Sequence, residues 1–257
     1  MIETWIENMT WPAYQQLAGE TDTIIFATGV MEEHGLHNPL GTDTIIAERC
    51  ARIIGEKTGV PVAPSLPHGC APDVKKFPGS TTLNPETYGK LLFAYCENFV
   101  RQGFKRIVII SGHSGNTPNL NILAGELYDR YGVLCFATDW WNILPQIDPA
   151  MHCLDHGSYF ETSMMLATDE SLVDMSVAHD VTGFDLTDKL HRKYYWRFDG
   201  ANVGVICDMK MVNPYGNIGS PKRDGGASKE LGNKMMQMYV NFMVTLVEEI
   251  KRIPMDA

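Results

Sequence analysis

Four short segments of this chain carry side chains able to hold a metal ion or move a proton. Glu32, Glu33, His34 and His37 lie together, and Asp43 follows shortly after. Ser111, His113, Ser114 and Asn116 form a second group; Asp139, Trp140 and Trp141 a third; Asp155, His156 and Glu161 a fourth. In extended chain, residues i and i+2 point to the same side. Glu32 and His34 can therefore serve one site, while Glu33 points away from it. Mixed carboxylates and imidazoles suit zinc, manganese or iron better than calcium, which takes oxygen ligands. Taken singly, each group has an everyday explanation. Asp43 is an acid favoured by a helix dipole, His113 a hydrogen-bonded loop residue, and Glu161 a solvated helix residue. The case for a metal site needs an architecture that brings them together.

The hydrophobic pattern supplies one. Thr23–Val30, Val60–Ala63, Arg106–Ile110 and Val133–Ala137 are short β-branched or apolar runs that read as strands. Helical patterns alternate with them. One starts at Thr42 and stops at Gly55; a second starts at the Asn84-Pro85 pair and ends at Gly103; a third opens after Ser111–Asn116 and ends near Gly132. This alternation predicts a single three-layer α/β/α domain over residues 1–257, with a mainly parallel central sheet. Ligands in such sheets bind beyond the carboxyl ends of the strands. The first three groups each follow a predicted strand, so they converge on one edge. Gly157–Ala167 reads as a helix, residues 178–225 as loops or short strands, and Ala227–Arg252 as a long amphipathic helix. Leu231, Met235, Met238, Phe242, Leu246 and Ile250 form its apolar stripe.

Composition excludes several function classes. The 257 residues carry 21 basic and 31 acidic side chains, a net charge of −10, which argues against nucleic acid or an anionic membrane surface as partner. The start of the chain, MIETWIENMTW, has acids where a signal peptide has bases. No apolar run approaches the ~20 residues of a membrane span. The six cysteines form no C-x-x-C pair, and reduced, buried thiols in a cytoplasmic protein are the expectation.

The segments also match a known family in order. Glu32-Glu33-His34-Gly35-Leu36-His37-Asn38-Pro39-Leu40-Gly41-Thr42-Asp43 resembles the E-Q-H-G-x-H-L-P-L-G-T-D signature of the creatininase (creatinine amidohydrolase) family. Phe77-Pro78-Gly79-Ser80 resembles its F-P-G-T segment, Ser111–Asn116 its N-G-H-G-G-N, and His156-Gly157 with Glu161-Thr162-Ser163 its H-A-G…E-T-S. Gly219-Ser220-Pro221 with Ala227 and Gly232 resembles a G-D-P…A…G block. The resemblance implies a dinuclear metal site that hydrolyses C–N bonds. Glu32, Asp43 and His113 would hold one ion; His34, Asp43 and Glu161 the other, with Asp43 bridging. Two zinc, manganese or iron ions and a homo-oligomer, often a hexamer, are implied as well. Glu33 departs from the family Gln, Ser111 from Asn, Ser114 from Gly and Ser220 from Asp. Creatininase itself has an acid two residues after its equivalent of His113, where this chain has Gly115. That departure points to a substrate other than creatinine: another cyclic amide, a formamide, or a peptide bond.

The expected chemistry is attack of an activated water on a polarised carbonyl. His156 is the candidate proton carrier, because imidazole titrates near neutral pH, and Asp155 the candidate that orients it. Trp140, Trp141 and Ser114 are candidate substrate contacts. Lys75 and Lys76 read as solvated loop residues that could also meet an anionic substrate. Three alternatives stand beside this reading. One is a metal-dependent hydrolase of a keto-polyol that cleaves a C–C bond. Another is a non-catalytic ligand-binding member of the family. The third is a serine hydrolase, although Gly112-His113-Ser114-Gly115-Asn116 lacks the final Gly of G-x-S-x-G.

Overall fold

In the computed structural model, residues 3–153, 155–181, 184–192, 196–204, 207–211 and 213–255 are described. The chain opens with a short helix, α1 (Trp11–Ala18), which the sequence pattern did not indicate. It then alternates β1 (Thr23–Thr28), α2 (Thr42–Thr58), β2 (Val62–Leu66), α3 (Pro85–Arg101), β3 (Arg106–Ser111), α4 (Thr117–Tyr131) and β4 (Leu134–Asp139). These strands form a parallel sheet in the order β2-β1-β3-β4. β2 starts two residues later than the apolar run suggests, because Pro61 has no N–H to give the ladder; its carbonyl accepts Ile25 N–H instead. Pro64 is tolerated within β2 because that strand is at the sheet edge.

Side-chain alternation along β1 and β3 decides the layers. Ile25, Ala27, Val108 and Ile110 face one apolar cluster, which contains α2, α6 (Tyr159–Asp169) and α7 (Lys229–Lys251). Ile24, Phe26, Ile107 and Ile109 face the other, against α3 and α4. Both faces of the central strands are covered, as a continuous apolar run requires. Each fully buried large aliphatic side chain contributes about 1.5–3 kcal/mol. The six cysteines form no disulfide. Among the described residues, no helix is long and apolar enough to cross a membrane.

Two regions differ from a simple alternation. After β4 the chain turns at once into α5 (Trp140–Ile147), whose N-terminus is capped by Asp139 through Asn142 N–H. The irregular stretch contains a small antiparallel sheet of β5 (Phe184–Thr187), β6 (Leu190–Arg192), β7 (Trp196–Phe198) and β8 (Ala201–Val203). Strands of three or four residues leave too few positions for alternation to be read from sequence.

α6 and α7 cross at Gly232, where a Cβ would lie 1.8 Å from the Ser163 carbonyl oxygen. No rotamer relieves a clash with backbone. Gly232→Ala is therefore expected to cost about 1–3 kcal/mol and to lower Tm in thermal unfolding. An unchanged Tm would show that the helices do not pack this closely.

Candidate metal centre

The carboxyl ends of parallel strands lie at one sheet edge, and register there is tight: Thr28 pairs with Ser111, and Ser111 with Asp139. Just past that edge, the extended stretch after β1 carries Glu32 and His34, and the turn after β3 carries His113. α2 contributes Asp43 from its first turn, and α6 contributes Glu161. Residues far apart in sequence thus meet in a buried cluster.

Asp43 stands at its centre. Its Oδ1 is 2.9 Å from His34 Nε2, which is 3.6 Å from Glu161 Oε1. Its Oδ2 is 3.2 Å from His113 Nδ1, which is 3.1 Å from Glu32 Oε1. Two trios share Asp43, Glu32-Asp43-His113 and His34-Asp43-Glu161, and in each the ligand atoms lie within 4.8 Å of one another; Glu32-His34-His156 meets the same spacing without Asp43. The Asp43 Oδ2 contact is off hydrogen-bond geometry, so this buried oxygen has no hydrogen-bond partner. An unpaired buried carboxylate oxygen is costly, and a cation between the trio atoms would satisfy it.

The imidazoles are oriented as ligands. His34 Nδ1–H donates to Glu32 O at 3.1 Å, leaving Nε2 for the cluster. His113 Nε2–H donates to Cys70 O at 2.9 Å, leaving Nδ1 for it. A backbone carbonyl that fixes the tautomer is the usual outer support of a metal-bound His. Glu161 is held too, its Oε2 accepting Gly157 N–H at 2.6 Å. The local field is strongly negative. Burial opposes protonation of His34 and His113, yet Glu161 and Asp43 push the first well above the ordinary range, and Glu32 and Asp43 do the same to the second. Burial also opposes ionisation of Asp43, but His34 and His113 keep its pKa low. The donor set fits a divalent ion of the zinc or manganese kind.

His156 borders this cluster. Its ring packs on His34 with centroids 4.5 Å apart, and its Nδ1 is 3.6 Å from Glu32 Oε1. Burial and His34 disfavour its charged form, but Glu33 and Glu32 outweigh them and raise its pKa to about 9.

Several expectations need correction. Asp155 does not orient His156. Its Oδ2 accepts Phe160 N–H at the start of α6, and burial, then Glu161, raise its pKa to about 7. Glu33 does not point away: its carboxylate reaches His156 Nε2 at 3.2 Å. Strict alternation failed because the stretch after β1 is loop, not strand. Trp140 and Trp141 are buried in the apolar layer, edge to face with each other; the immediate turn into α5 carries them into the core. Ser114 is exposed beside His113. Lys76 pairs with Asp208 at 2.7 Å, while Lys75 is exposed. Glu33 is the site residue that sequence reasoning missed. Its signal was an acid where the family pattern has Gln.

Comparison with known proteins fits this geometry. Residues 7–247 match the profile of the creatininase family, described as creatinine amidohydrolase. The chain belongs to the creatininase family. It is 26% identical over 194 residues to the creatinine amidohydrolase of Pseudomonas putida, covering 66% of this chain and 74% of that one. It is 30% identical over 172 residues to a mycofactocin precursor peptide peptidase of Mycolicibacterium smegmatis, covering 62% and 64%. A solved manganese creatininase superposes with a TM-score of 0.78 at 22% identity, over 98% of this chain and 100% of that one. The chain is thus a creatininase-family hydrolase with metal-binding residue clusters.

A cation site of this kind predicts ligand-linked stability. At 100 times Kd, a bound ion adds about 2.7 kcal/mol. Chelated protein is expected to gain several degrees of Tm on addition of zinc or manganese, and Asp43→Asn to lose that gain. An equal gain in Asp43→Asn would remove Asp43 from the site.

Proposed function

We propose that the chain is a dinuclear metal-dependent amidohydrolase that cleaves a C–N bond of a small amide. The observation that supports this most is the sharing of Asp43 by two ligand trios, one carboxylate oxygen facing each. Glu32, Asp43 and His113 would hold one ion, and His34, Asp43 and Glu161 the other. Two divalent ions there would polarise a carbonyl and lower a water's pKa from about 15.7 toward about 7. In its neutral form, His156 takes a proton from the attacking water at Nδ1 and returns it to the leaving nitrogen. Its place beside Glu32 and His34 supports that role. Ser114, exposed next to His113, is the proposed polar contact for substrate.

Position 115 narrows the substrate class. A Cβ on Gly115 would lie 2.2 Å from Cys70 O and 2.4 Å from His113 Nε2. With the backbone placed this way, position 115 has no room for a side chain such as the acid that creatininase itself carries two residues after its equivalent of His113. We therefore assign a cyclic amide other than creatinine, a formamide or a peptide-like amide. A keto-polyol substrate is the competing class, because metal ligands alone do not fix the bond cleaved.

Chelation should abolish hydrolysis of the responsive amide, and zinc or manganese should restore it. Insensitivity to chelator would favour a serine nucleophile instead. A panel of cyclic amides, formamides, short peptides and keto-polyols decides the bond. Release of an amine or ammonia supports the assignment, and turnover of keto-polyols alone overturns it. His156→Ala is expected to keep both metal equivalents and to lower kcat by roughly 10²-fold or more. Unchanged kcat would remove the proton-carrier role.

A further inference from the structure

Glu33 is a buried acid one residue from two of the metal-cluster side chains, yet it belongs to neither trio. Both of its carboxylate oxygens are used. Oε2 accepts Gly35 N–H at 3.1 Å. Oε1 lies 3.2 Å from His156 Nε2, and the Glu33 carbonyl oxygen lies 2.8 Å from the same nitrogen. The Glu33 backbone N–H is tied to Ser80 Oγ at 2.9 Å.

The hydrogen-bond logic is strict. His156 Nε2 faces two oxygens, a carbonyl and a carboxylate, and neither can donate. Nε2 therefore carries its hydrogen, and in the neutral ring the lone pair sits on Nδ1. Nδ1 is the atom that faces Glu32 and the cluster. The backbone carbonyl alone would allow the ring to swing about one contact. The carboxylate adds a second point and fixes the ring plane. It is itself clamped from above, since Gly216, at φ +90°, comes so close that a Cβ would lie 1.7 Å from Glu33 Oε2.

This arrangement also explains why an acid stands here rather than an amide. Oε1 meets one donor, His156 Nε2–H, and Oε2 meets another, Gly35 N–H. A Gln has one acceptor oxygen and one NH₂ group. Whichever way it is turned, it sets a donor against a donor.

We propose that Glu33 is a positioning residue: its carboxylate holds the His156 ring so that Nδ1 faces the reacting atoms. The proposal rests on the proton-carrier role of His156. Glu33 acts on substrate only through His156, and binds no metal itself.

The test uses the zinc-loaded protein. With a responsive amide, Glu33→Ala is expected to lower kcat by about 10-fold or more, with KM and bound zinc unchanged. Glu33→Gln, which can satisfy one donor of the two, should fall between it and the parent. In a His156→Ala background, neither change should lower kcat further, because coupled residues are not additive. An additional loss there would mark a merely structural effect and overturn the proposal. A second readout needs no substrate. The hydrogen-bonded Nε2–H proton of His156, assigned in NMR spectra by its disappearance in His156→Ala, should shift or broaden in Glu33→Ala. Parent-like kcat together with an unchanged Nε2–H signal overturns the proposal. Should Glu33→Ala fail to fold, the isosteric Glu33→Gln is judged by the same criterion. If no amide is turned over but the signal responds, the amide-substrate assignment fails and the hold of Glu33 on the His156 ring stands.

Discussion

Three carboxylates buried within a few ångströms of one another need positive charge among them. That constraint organises the whole sheet edge. Glu32, Asp43 and Glu161 are nearly inaccessible, and the charge facing them comes from His34 and His113, whose protonation they strongly favour. Protons meet the demand incompletely: Asp43 Oδ2 has the His113 ion contact at 3.2 Å but no well-formed hydrogen bond. Divalent ions would meet it better, since each brings two charges and accepts several oxygen and nitrogen donors at once. Burial of the acids thus has a functional reading that an exposed acidic patch would not support.

Holding such a cluster requires support from outside it. Backbone carbonyls at Glu32 and Cys70 orient the two imidazoles, and the Gly157 N–H orients Glu161. Each support comes from a segment that the sheet or a helix terminus has already placed. The 69–71 loop therefore does two things: it fixes His113 and it fills the space beside Gly115.

Much of the fold was legible in the sequence. Apolar runs marked β1, β3 and β4, and the Asn84 cap marked the start of α3, because burial on both faces and helix-end chemistry leave local signatures; α2 starts at Thr42, but with Gly41 at the cap position and no side-chain cap. The parallel pairing, and the convergence of the segments after β1 and β3 on one edge, followed from that alternation; the strand order and the arrival of Glu161 from α6 did not. The small β5–β8 sheet was not legible in detail, since strands so short carry no periodicity. Trp140 and Trp141 were misread as substrate contacts because nothing local in a Trp pair tells core from cleft; the tight turn into α5 decides it.

What the sequence determined by itself is the donor inventory: Glu32, His34, Asp43, His113 and Glu161, in segments whose order resembles one family. What only tertiary structure decided is pairing. Asp43 stands between two imidazoles, Glu33 rather than Asp155 takes His156, and the Cys70 carbonyl orients His113. Contacts of this kind join residues separated by nine to more than one hundred positions. Their geometry depends on where separate loops settle against the sheet. No local propensity encodes that, because it is the packed sheet and helices that hold the loops in register.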